Sequence, residues 1–410
     1  MTDRPRVVVT GVGAVSAWGW TSGDLQRGLR TGRSAISELT LFDSSAQRTH
    51  LAAEVPPPSD SRPDSIGASR HLSRADRFAV AAASEAFDQA DLPPSMDPVG
   101  VFFGGSTGGM WECEEYVARL LGVRTGRPGI AWLASQQINC PGDAVARHLR
   151  LTGPTLTISS ACASGTLAVG AALDAIRRGE INAAIAGGSD ALCVLTYSGF
   201  NALHSVDPEP CRPFRADRVG LSLGEGAGVL VLETARSAES RGAKPLAELL
   251  GWGASCDAHH MTAPHPEGDG AARAIVAALS DAELQPDEIG FVNAHGTGTP
   301  LNDISECRAL HRVFGPHASG IPVTANKASV GHQLGCSGAV EAVATVLALV
   351  DREIQPTAGG GEVDGEIDLD VVLGQPRPIP PGSIGISVSF AFGGACAAVI
   401  VADRTIGARS

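Results

Sequence analysis

The sequence predicts an α/β protein built from two similar halves, and three observations carry that expectation. Short β-rich runs alternate with longer Ala-rich helical patterns along all 410 residues, as expected of sheets covered by helices on both faces. Ten strand candidates divide five and five about residue 245, giving expected domains at 1–245 and 246–410. Two segments, 163–178 and 336–350, are rich in small residues and apolar on nearly all sides. Helices of that kind lie in the middle of a molecule, and one from each half would form a central layer between two sheets.

In the first half the strand candidates are 6–10 (RVVVT), 99–103 (VGVFF), 155–159 (TLTIS), 183–186 (AAIA) and 228–233 (GVLVLE). The second half offers 247–254 (AELLGWGA), 289–293 (IGFVN), 322–325 (PVTA), 385–390 (GISVSF) and 397–402 (AAVIVA). All are short apolar runs bounded by turn residues, the mark of buried strands. Residues 51–69, 110–137 and 207–218 read as loop excursions or caps, and the Gly-rich 357–366 as a surface loop. The segment GVGAVS (Gly11, Gly13, Ser16) imitates part of a dinucleotide fingerprint. Its third position is Ser and no acidic residue ends a second strand where that site needs one, so a tight strand–helix turn is expected.

Composition removes several functions. Charged residues are 18% and hydrophobic ones 43%, which excludes disorder as the main state. Aromatics are only 4%, so Ala, Val, Leu and Ile must fill the core. The net charge is −13 and no Lys/Arg run exists, which argues against nucleic acid as principal partner. The N-terminus lacks the pattern of a secretory signal. The longest apolar run, AVATVLALV, falls far short of the ~20 residues that span a bilayer, so no membrane partner and a cytoplasmic location are expected. Nine cysteines, an odd number with no C-x-x-C pair, fit neither a disulfide framework nor a zinc site.

Four segments carry residue types suited to chemistry. In TLTISSACASGTLAVGAAL a strand meets a buried helix through a turn of small residues bearing Cys162. The helix N-terminus offers unpaired N–H groups and positive potential, which favour a thiolate. In VNAHGTGTP, His295 ends a buried strand, and Thr297 and Thr299 supply hydroxyls beside it. In NKASVGHQLGC, His332 precedes the second central helix, with Lys327 five residues upstream. The helix dipole should keep this imidazole neutral, able to donate an N–H to an oxyanion. In SVSFAFGGACAAVIV, a strand runs into Phe392-Gly393-Gly394, where the two glycines permit positive φ and could aim a main-chain N–H at a reacting oxygen. Each residue also has a purely structural reading: a buried Cys, a core His, a capping His, a plain turn.

Together these segments resemble the β-ketoacyl-[acyl-carrier-protein] synthases, the elongating condensing enzymes of fatty-acid and type II polyketide assembly. The likeness runs through nearly the whole chain, from RVVVTGVGAVS through AAIAGGSDAL, RPF-x-AD-R, LGEGAGVLVLE, DAHHMTAPHP and VNAHGTGTP to F-x-FGG. It implies a thiolase-like, five-layered αβαβα fold of two duplicated halves. It implies that Cys162 takes the acyl chain as a thioester, and that His295 and His332 serve malonyl decarboxylation. The N–H groups of Cys162 and Phe392 would form an oxyanion hole, with the Phe392 ring as gate, and Lys327 and Glu306 a supporting charged pair. Thr297, Thr299 and Thr262 match residues near the malonyl thioester and the pantetheine arm. Thr107 matches a position lining the acyl tunnel.

The resemblance further implies no bound cofactor, since substrates ride on the phosphopantetheine of an acyl carrier protein. Arg70, Arg74, Arg124 and Arg127 lie in the two excursions that cap the entrance and are expected to dock the acidic carrier. A homodimer is implied, or a heterodimer with a paralogous chain-length-factor subunit. The sequence departs from the family pattern at Val219, Leu221, Val388 and Cys396. These departures and Thr107 favour polyketide over primary fatty-acid elongation. Retention of Cys162 argues against a non-catalytic chain-length subunit. The Cys–His–His set argues against a thiolase, which uses a second Cys, and against a priming ketosynthase, which uses Asn.

Overall fold

A computed structural model describes residues 4–58, 72–93, 96 and 98–403. The first half contributes β1 (Val7–Val15), β2 (Val99–Gly104), β3 (Thr155–Ile158), β4 (Ala183–Asp190) and β5 (Gly226–Thr234). The second contributes β6 (Ala247–Cys256), β7 (Phe291–Asn293), β8 (Pro322–Thr324), β9 (Asp370–Val371), β10 (Ile384–Phe390) and β11 (Ala395–Asp403). The helices that cover them are α1 (Arg74–Ala90), α2 (Cys140–Leu149), α3 (Ser164–Arg177), α4 (Asp269–Asp281), α5 (Pro300–Phe314) and α6 (Ser337–Asp351).

The duplication is written in the strand order. The first half runs β3-β2-β4-β5-β1 and the second β8-β7-β10-β11-β6, with β9 added at the edge. In each half the first three strands pair parallel and the last two antiparallel. The halves join where Val7–Val9 of β1 pair antiparallel with Leu249–Ala247 of β6.

Three main cores fill the space between five layers, the central one lying on both faces of the middle helices. One lies between α1 and α2 and the outer face of the first sheet. A second lies between α4 and α5 and the outer face of the second. The third is built by α3 and α6 with inward residues of both halves. Thirteen of the 15 residues of α6 are buried. The stretch Leu334–Asp351 reaches the hydropathy of a spanning helix, contrary to expectation, but 89% of it is inside the molecule as core. Close approach of α3 and α6 depends on small residues. A Cβ on Gly165 would fall 2.7 Å from Ala339 N, and one on Gly338 would fall 2.0 Å from Thr166 Oγ1. Because the two helices touch at their first turns, the residues just ahead of each, Cys162 and His332, line one cavity.

Two local expectations are corrected. Gly11 and Gly13 lie inside β1 rather than in a turn, because α1 presses on the strand: their Cβ atoms would meet the carbonyls of Ala86 and Ala82 at 2.0 and 1.9 Å. The segment 110–137 is no plain loop, since it holds the helix Met110–Leu120 and a 3₁₀ turn at Ile130–Ser135.

Candidate active site

Cys162 sits on a constrained turn between β3 and α3. Ala161 takes φ 44°, a left-handed conformation that costs energy for any residue with a Cβ. Ser164 secures the turn, its hydroxyl donating to Ala161 O at 2.6 Å and accepting from Ser160 N at 2.8 Å. The sulfur lies against the backbone N–H groups of Cys162 and Phe392. Those donors and the Lys327 charge favour the anion, but burial outweighs them and pushes the thiol up to about 11. The expected thiolate is thus corrected to a resting thiol: the dry site takes more from the anion than the helix terminus returns.

His295 follows β7 and His332 precedes α6, and both are buried. Lys327 Nζ donates to His295 Nδ1 at 3.1 Å and to the His295 carbonyl at 2.8 Å. Leu334 N donates to His332 Nδ1 at 3.0 Å, and Ser337 Oγ lies 3.1 Å from the same nitrogen. An ammonium and a backbone amide only donate, so each Nδ1 is an acceptor and each neutral ring carries its proton on Nε2. The rings meet edge to face, 5.6 Å apart at 90°. Burial first, then the Lys327 charge, hold both histidines well below their usual range. For His332 the lowered value agrees with the expected neutral ring, with burial as its largest cause.

The expected Lys327–Glu306 pair is also corrected. Lys327 pairs with Glu341 of α6, and both are buried. Glu306 instead accepts from His295 N at 2.7 Å and Gly296 N at 2.8 Å, holding the loop that presents the imidazole. Burial raises Glu306 to about 8 and Glu341 to about 7.

Cys162, His295, His332 and Phe392 line one cavity of about 230 Å³. Phe392 is held by the turn at Gly393 and Gly394, with φ 86° and 88°. Its ring stacks on Phe200 at 5.5 Å, closing one side of the chamber.

Comparison with known proteins now decides the family. Residues 4–238 match the beta-ketoacyl synthase N-terminal domain, and residues 246–360 the C-terminal domain. The chain belongs to the beta-ketoacyl synthase family. It is 38% identical to a 3-oxoacyl-[acyl-carrier-protein] synthase 2 of Synechocystis over 96% of each chain. The solved ishigamide ketosynthase/chain length factor aligns with TM-score 0.90 and 36% identity, covering 97% of this chain and 99% of the other. A type II polyketide ketosynthase in complex with its acyl-carrier protein and bound to the hexaketide aligns with TM-score 0.87 and 28% identity, covering 98% and 100%.

The remaining predicted residues of this synthase divide by position. Thr262, Thr297 and Thr299 line the cavity, the last two with hydroxyls 2.9 Å apart. Of the departures, Val219, Leu221 and Cys396 line it too, while Val388 is core in β10. Thr107 does not reach it. That hydroxyl donates to Asp190 Oδ1 at 2.8 Å, and the residue lines a separate cavity with Ser106 and Gln137. Arg74 is corrected from docking to structure: its guanidinium grips the buried Glu225, with Nε 2.8 Å from Oε2, and Nη2 reaches Val55 O. Arg124 pairs with Glu115 at 3.2 Å and is half exposed, and Arg127 is exposed. Arg70 lies outside the described residues. Glu341 and Asp190 were not singled out in sequence. Both sit in quoted segments, but an acid inside an apolar helix or at a strand end shows its partner only after folding.

Proposed function

We propose that the chain is an elongating ketosynthase of type II polyketide assembly that loads an acyl chain on Cys162 and extends it with malonyl-carrier. One observation carries this reading: the thiol shares one cavity with two neutral imidazoles whose Nδ1 positions are occupied, leaving two Nε2–H donors. In the first half-reaction Sγ bonds to the acyl carbonyl carbon, the carrier C–S bond breaks, and the thiol proton passes to the departing carrier sulfur. The N–H groups of Cys162 and Phe392 hold the oxyanion. In the second, malonyl-carrier loses CO₂ while the imidazole donors hold the enolate oxygen. The new carbanion attacks the acyl carbon, the bond to Cys162 breaks, and the freed sulfur takes up a proton from solvent. Carbanion formation by loss of CO₂ needs donors rather than a base, and removing one such donor costs ~10²–10³ in rate.

Lys327 and Glu306 fix the His295 loop. Thr262, Thr297 and Thr299 meet the pantetheine arm that delivers each substrate. The partner is an acyl carrier protein docked near Arg124 and Arg127, and the second subunit is a copy or a chain-length factor. We place the enzyme in the cytoplasm, where nine free cysteines stay reduced. Likeness to the polyketide structures and the apolar wall at Val219 and Leu221 favour polyketide substrates. The Synechocystis relative favours primary fatty-acid elongation as the second reading.

The test is reconstitution. Acyl-carrier should add its acyl mass at Cys162, and malonyl-carrier should then give CO₂ and a 3-oxoacyl chain two carbons longer. A protein that is never acylated would instead be a chain-length subunit. Comparison of polyene and saturated acyl-carriers separates the two pathways by relative kcat/KM.

A further inference from the structure

We propose that Asp190 is a positioning residue that sets the tautomer of His332 through the turn Leu334–Gly335, an inference that rests on reading His332 as an N–H donor. Nothing in the mechanism uses Asp190, yet its wholly buried carboxylate ends β4 beside the turn that carries His332. It accepts from Ser106 N and Oγ, Thr107 N and Oγ1, and Gly335 N, the last at 2.7 Å. Among the described residues it has no ion-pair partner. Burial works against its ionised form, and among the described residues these five donors are what favour it.

The Gly335 bond matters for His332. Leu334, one residue earlier, takes φ 54°, a conformation that a leucine holds only when its surroundings impose it. In the same turn Leu334 N donates to His332 Nδ1. Asp190 anchors the next amide, with Ser106 Oγ as a second acceptor at 3.1 Å. Position 335 is glycine for the same reason: a Cβ there would fall 2.7 Å from Asp190 Oδ2 and 2.8 Å from Gly105 C. If the anchor is lost, the turn relaxes toward ordinary φ, Leu334 N swings off the ring, and Nδ1 is left with Ser337 Oγ, a hydroxyl that can accept its proton as well as donate to it.

Long-range ¹H–¹⁵N spectra of histidine-labelled protein, with His332 assigned by His332→Gln, read which ring nitrogen is protonated without any substrate. The wild type should show His332 as a single Nε2–H form. Asp190→Asn should give a mixture or the Nδ1–H form. CO₂ release from malonyl-carrier should fall about 10- to 100-fold, as misplacement of a reacting group does, with the KM for carrier and Cys162 acylation kept within about twofold. Asp190→Glu should not restore release. If Asp190→Asn does not fold, Gly335→Ala tests the same contact from the other side. An unchanged His332 signal with wild-type CO₂ release in a folded variant overturns the proposal. A wild type that releases no CO₂ but shows the tautomer change on substitution refutes the ketosynthase reading and leaves this one standing.

Discussion

Alkylation of Cys162 across pH shows which force governs the nucleophile. Burial lifts the thiol from an ordinary 9.0 to about 11. At pH 7 the thiolate fraction is then ~10⁻⁴, against ~10⁻² for an unshifted thiol. Iodoacetamide reacts with the thiolate, so the rate at Cys162 should rise about tenfold per pH unit from 7 to 10 without an inflection. Peptide mapping by mass spectrometry isolates this residue from the exposed Cys256 and from the buried Cys193 and Cys211. Lys327→Met adds a signed control. The Lys327 charge lowers the thiol, so its loss should slow alkylation at any fixed pH. A plateau below pH 9 would show a thiolate already formed at rest and would refute the dominance of burial over the helix terminus.

Other outcomes follow from the same geometry. Because His295 and His332 are held neutral well below the usual range, their ¹H–¹⁵N ring signals should keep the neutral pattern from pH 8 down to 6; half-conversion near 6.5 would show ordinary imidazoles. Glu306→Ala leaves the His295 and Gly296 amides buried without an acceptor, at ~1–3 kcal/mol each, visible as a lower urea midpoint, with Glu306→Gln losing less. Arg74→Ala strands the buried Glu225 carboxylate and should cost ~3–5 kcal/mol of stability without raising the KM for carrier. Arg127→Glu should raise that KM without changing stability; the reverse pattern for this pair would restore Arg74 to the docking surface.

Periodicity and turn residues made the framework legible. All ten strand candidates appear as strands, and the two all-apolar segments are the central helices. Gly11 and Gly13 misled because a glycine that admits a neighbouring helix looks, in sequence, like one that turns the chain. The nucleophile turn was readable because strand, small residues and helix are contiguous. What could not be read depends on distant partners. Lys327 chose Glu341 over Glu306 only because α6 brings that acid beneath it. Arg74 seemed a surface charge until Glu225 came into reach from 151 positions away. The Cys162 shift escaped because the cost of burial depends on how completely the cavity closes, a property of all its walls at once.

The division of labour between sulfur and imidazoles is tested most directly by following two half-reactions in the same samples. Acyl mass on Cys162 and CO₂ from malonyl-carrier should be measured for wild type, Cys162→Ala, His295→Ala and His332→Ala. The histidine variants should still load Cys162 while releasing CO₂ ~10²–10³ times more slowly, and Cys162→Ala should carry no acyl group. Wild-type CO₂ release from either histidine variant, or acylation persisting without Cys162, would contradict the account.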